Sequence, residues 1–201
     1  MDIPKNERIE DPCKEMARLA QDFLPLNQWG FTEIHRSMKD ERLIYASQLC
    51  QVKFVWSGWD AQAGNSISIY YGRLHAPADK QRLVWNGEEC HCWHDLIGMG
   101  AVLDFLDGLT PAESVDQDDF PQVIEQFRDS ELWQKLAGKR RNPELAVRMH
   151  GAIWQHYGLR LFELFDLNRP DLWEQYMQFL KQIYDIKGRS SAIKPPLDKV
   201  C

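Results

Sequence analysis

The chain has 201 residues, is 44% hydrophobic and 27% charged, and carries a formal net charge of −6. That balance argues against global disorder, and a chain of this length buries roughly 70% of its unfolded surface without a disulfide or metal to help it fold. The acidic excess, with Lys139-Arg140-Arg141 as the only compact basic run, argues against non-specific binding to nucleic acid or to an anionic membrane.

The first residues, Met1 to Glu7, are charged and lack the apolar stretch of a secretory signal. No apolar run approaches the roughly 20 residues that span a bilayer. The expected location is therefore the cytoplasm, with Cys13, Cys50, Cys90, Cys92 and Cys201 as free thiols.

Residues 1–10 read as a loose arm. Asp11 and Pro12 then form a helix start, as N-cap and first helical residue. Cys13, Met16, Ala17, Ala20, Phe23 and Leu24 recur at helical spacing, and Pro25 ends the run. A short strand is predicted within Phe31 to Met38. From Ile44 the period changes to two. Ile44, Ala46, Gln48, Cys50, Val52, Phe54 and Trp56 fall on one face of a predicted strand, with Ser47, Gln51, Lys53 and Ser57 on the other. A second alternation places Ile67, Ile69 and Tyr71 on one face, continued by Arg73 and His75. Arg82 to Trp85 completes the strand candidates.

Helices are predicted beyond Asp95: Leu96 to Leu106, Pro121 to Leu136 with a break at Ser130, a third opened by Asn142 and Pro143 with Phe162 and Phe165 near its end, and a fourth from Pro170 to Gly188. The stretch from Gly108 to Asp118 reads as a solvated acidic loop. The whole predicts an α+β fold with an N-terminal helix, an antiparallel sheet of three to four strands and a C-terminal bundle of three to four helices. Residues 11–188 are expected to form a single domain, with helix and sheet over 11–94 and a helical half over 95–188. Residues 189–201 read as a mobile tail.

Two constellations bear on function. The first is Arg73, His75, Cys92 and His94. An Arg emerging from an apolar strand face can grip a carboxylate or phosphate, although its commonest fate is an ion pair with a nearby acid. Cys92 ahead of a helix start, with His75 or His94 as base, resembles a thiol site, and it should react faster than Cys50 on its buried strand face. His75, Cys90, Cys92 and His94 also offer zinc ligands. The Cys-x-Cys spacing is tighter than the usual zinc knuckle and no second pair follows, so less than stoichiometric zinc is expected. No cofactor-binding motif occurs.

The second constellation is aromatic. Trp154 and Phe162, with Trp173 and Tyr176 on the fourth helix, suggest a stripe that anchors another protein or a second copy of the chain, with Trp173 or Tyr176 partly exposed. The reading that follows is a non-catalytic protein-binding accessory, adaptor or immunity-type protein. The alternative is a small enzyme or ligand-binding protein built on the Arg73 constellation, taking a small-molecule ligand.

Overall fold

The computed structural model describes residues 9–60, 64–74, 93–94, 96–116, 121–137 and 142–190. Helix α1, Pro12–Phe23, begins as predicted, with the Asp11 carboxylate accepting from the Lys14 N–H at 2.8 Å. Leu24 is extended, the conformation that a following proline imposes.

Five strands follow and pair antiparallel in chain order: β1 (Thr32–Ser37), β2 (Arg42–Ala46), β3 (Cys50–Asp60), β4 (Gly64–Arg73) and a two-residue β5 (Trp93–His94). With the helices gathered after the strands, the architecture is the α+β fold expected from the sequence. The predicted strand Arg82–Trp85 lies outside the described residues, as do residues 1–8 of the predicted arm and 191–201 of the predicted tail.

The single strand expected from Ile44 to Trp56 is two. The Ser47 hydroxyl accepts from the N–H groups of Leu49 and Cys50 at 3.1 and 3.4 Å, and the Ser47 N–H donates to the Cys50 carbonyl at 3.0 Å. This side-chain turn reverses the chain without glycine or proline. It also changes which residues of β2 face the core. Leu43 and Tyr45 pair with Phe54 and Val52 on the core face, not Ile44 and Ala46. Ile44 pairs with Lys53 on the opposite face. That face is not the solvated one the pattern suggested, since Ile44, Lys53 and Gln51 are all buried. The Lys53 ammonium lies 4.9 Å from the centroid of the Tyr70 ring.

The helices are α2 (Leu96–Leu106), α3 (Pro111–Asp116), α4 (Gln122–Arg128), α5 (Glu131–Ala137), α6 (Pro143–Tyr157), α7 (Leu159–Glu163) and α8 (Pro170–Ser190). Ser130 marks the break predicted between α4 and α5, accepting from the Trp133 N–H at 3.2 Å. Asn142 caps α6 through the Glu144 N–H at 2.9 Å. Three readings need correction. The third predicted helix stops at Tyr157, because Gly158 has φ +55 and starts a separate short helix. The acidic loop contains α3, opened by a capping box: the Glu113 carboxylate accepts from the Thr110 N–H at 2.8 Å, and the Thr110 hydroxyl accepts from the Glu113 N–H at 3.3 Å. Helix α8 runs through Gly188, so Arg189 and Ser190 are helical rather than tail. One glycine in an otherwise helical run weakens it without breaking it.

The core joins the sheet to α1, α2 and α6, and α8 extends it by packing on α2 and α3. Helices α1 and α6 touch backbone to side chain, because a Cβ on Gly151 would sit 2.6 Å from the Phe23 carbonyl oxygen. The Cys13 thiol reaches the Ser37 and Arg42 carbonyls at 3.4 and 3.7 Å, fixing α1 to the ends of the β1–β2 hairpin.

Candidate functional site

The inner face of β3 and β4 carries the chemistry. Register sets Val52 against Tyr71 and Cys50 against Arg73, so Ile67, Ile69, Tyr71 and Arg73 follow one another along the core face as predicted. Tyr71 is fully buried. It stacks between His150 and Phe165, with ring centroids at 5.6 and 6.1 Å. Its hydroxyl lies 2.7 Å from His150 Nδ1 and accepts a hydrogen bond from Trp154 Nε1.

An indole N–H only donates, so the Tyr71 oxygen accepts from Trp154. The direction of the Tyr71–His150 hydrogen bond follows the imidazole tautomer. Burial holds His150 neutral, lowering its pKa to about 3. Burial likewise pushes the Tyr71 hydroxyl well above its usual value, against the opposing effect of the Trp154 hydrogen bond. Cys50 is sealed as well: burial raises its thiol pKa, a hydrogen bond with Ser47 lowers it, and nearby Asp166 raises it further. All three groups are neutral and out of reach of a substrate.

One step further along β4 the environment changes. Arg73 is half-buried and its guanidinium lies over the Trp173 ring, 5.3 Å from the centroid. Trp173 is held on its other sides by Phe165 and Tyr176 at 5.9 and 5.8 Å. The Arg73 Nε is buried and has no hydrogen-bond partner among the described residues. A cation over an aromatic face gains about 0.5–2 kcal/mol, which does not replace the hydrogen bonds of a lost hydration shell.

The structure places the predicted site residues unequally. His75, Cys90 and Cys92 lie outside the described residues. His94 is described by its backbone, which pairs with Tyr71 and so brings β5 beside the Arg73 end of β4. Among the described residues no three His, Cys, Asp or Glu side chains come together as metal ligands.

The aromatic stripe is corrected. Trp154, Phe162 and Tyr176 are 0% exposed and Trp173 is 6% exposed, so none is positioned to anchor a partner. The reason is packing from several sides. Phe162 meets Trp154, Phe31 and Trp29, while Tyr176 meets Phe105 and Trp173. Helix α8 is covered by α2 and α3. Trp173 serves instead as the shelf beneath Arg73. The wide apolar stripe of α8 gave no sign of that role, because nothing in its spacing separates a core tryptophan from an exposed one.

No family model, curated protein or solved structure matches the chain. No helix among the described residues is long and apolar enough to cross a membrane.

Proposed function

We propose that the protein is a non-catalytic binding protein and that Arg73 takes an anionic group, a carboxylate or phosphate, of its ligand. The observation that carries this reading is a half-buried guanidinium, set on Trp173, that makes no ion pair or hydrogen bond with any described residue. In a chain with 30 acidic residues, an arginine at a sheet end is readily paired internally. A cation with no counter-ion among the described residues costs stability, and the planar donor fork is suited to an anion from outside. The non-catalytic part rests on its neighbours. Tyr71, His150 and Cys50 are buried in neutral forms and offer neither a general base nor a thiolate at working pH.

Thermal unfolding in inorganic phosphate and in succinate, against chloride at matched ionic strength, tests the reading. The wild-type chain is expected to gain stability with at least one of the two anions, by about 2.7 kcal/mol at a hundredfold excess over Kd. Arg73→Gln is expected to lose that gain. A wild type indifferent to both anions, or a gain that survives in Arg73→Gln, contradicts it.

A further inference from the structure

Among the described residues β1 is the terminal strand of the sheet, and Thr32 to Arg36 are exposed on both its faces. Two of the exposed large apolar side chains belong to it and its turn, Ile34 at 55% and Met38 at 51%. A terminal strand presents unpaired N–H and C=O groups and is a template for another strand. We propose that β1 pairs antiparallel with β1 of a second copy of this chain, giving a two-fold dimer with a continuous sheet.

The choice of occupant comes from the strand's own pattern. Antiparallel pairing centred between Ile34 and His35 sets Thr32 against Ser37, Glu33 against Arg36 and Ile34 against His35. Two opposite-charge pairs form, one on each side of the axis. In a regular strand this register fails, because paired residues must share a face and residues three apart lie on opposite faces. Here the β-bulge removes the conflict. Glu33 pairs with Tyr45 and Arg36 with Leu43, both on the core side of β2, while Ile34 is the inserted residue beside His35. Thr32 and Ser37 pair with Ala46 and Arg42 on the other side. The bulge thus makes the faces of β1 symmetric about its centre. The Arg36–Glu33 contacts at 2.7 and 2.8 Å within one chain confirm that the two side chains share a face.

Bulges and charges on a terminal strand ordinarily discourage indiscriminate pairing. In this strand they leave the door open to a partner with the same spacing and sequence, which is another β1. A six-residue strand pair is a small interface, so the dimer forms in a concentration-dependent way.

Sedimentation equilibrium of the full chain over a concentration series is the test, with charge reversals. The wild type is expected to approach twice the chain mass of 23.6 kDa. Glu33→Arg and Arg36→Glu are each expected to stay monomeric, since each places like charges opposite one another twice. Both variants fold, because the internal pair they break is exposed and worth at most about 1 kcal/mol. The double variant Glu33→Arg/Arg36→Glu is expected to dimerise again. An equimolar mixture of the two single variants is expected to form a heterodimer, although the pair inside each chain stays broken. A wild type monomeric throughout, an undiminished dimer in either single variant, or a mixture that stays monomeric overturns the proposal.

Discussion

His150 shows how one buried side chain sets the acid response of the protein. Its folded-state pKa of about 3 lies below the ordinary 6.5, so the unfolded chain binds a proton that the folded chain refuses. Stability from this group is complete above pH 6.5 and is lost as pH falls from there toward 3, by up to about 1.4 kcal/mol per pH unit. Denaturant titrations of wild type and His150→Gln at pH 7, 6, 5 and 4 should show a shallower decline in the variant. Equal slopes would mean that His150 is not kept neutral. Arg73 gives the opposite kind of prediction. Arg73→Met keeps an apolar stem over Trp173 and removes a cation that has no ion pair among the described residues, so in anion-free buffer it should raise stability by about 1 kcal/mol. A clear loss of stability would point to a structural partner for the guanidinium.

At the scale of elements, the α1–α6 contact and the caps decide most of the local stability. Gly151→Ala forces a methyl group against the Phe23 carbonyl at 2.6 Å, and backbone cannot rotate aside as a side chain can. The expected cost is about 1–3 kcal/mol, read as a lowered denaturation midpoint with unchanged m-value. Trp173→Ala should cost about 3–5 kcal/mol of folding stability, because Trp173 is core. Helix starts carrying a cap and a proline, at Asp11-Pro12 and Asn142-Pro143, were legible in the sequence because side chain and ring act locally. The Thr110-Pro-Ala-Glu113 start carried the same kind of signal but sat within a run of acidic residues that read as a loop. The turn at Ser47 to Leu49 was not legible. It uses one hydroxyl in place of glycine or proline, and the alternation continues across it. The burial of Lys53 was hidden too, since the period of two reports only which residues share a face, not whether both faces are covered. The site was half legible. Arg73 stood out as a cation on an apolar face, while its shelf Trp173 lies a hundred residues away, beyond any local pattern.

For the whole molecule, the two proposals concern opposite ends of one sheet. Strand β1 ends it on one side, and β4 and β5 form the other, where Arg73 lies. Binding at Arg73 and pairing at β1 therefore need not compete, and each can be removed by substitutions that leave the other intact. The central claim is that Arg73 is an anion site held ready by Trp173. It is tested most directly by ¹⁵N NMR of the arginine Nε–H groups during titration with inorganic phosphate and with succinate, the Arg73 signal being assigned by its loss in Arg73→Gln. The account predicts a resolved Arg73 Nε–H signal in the free protein that moves saturably with at least one anion while the other arginine signals move little. A signal that holds still in both titrations, or that moves no more than those of exposed arginines such as Arg18, would contradict it.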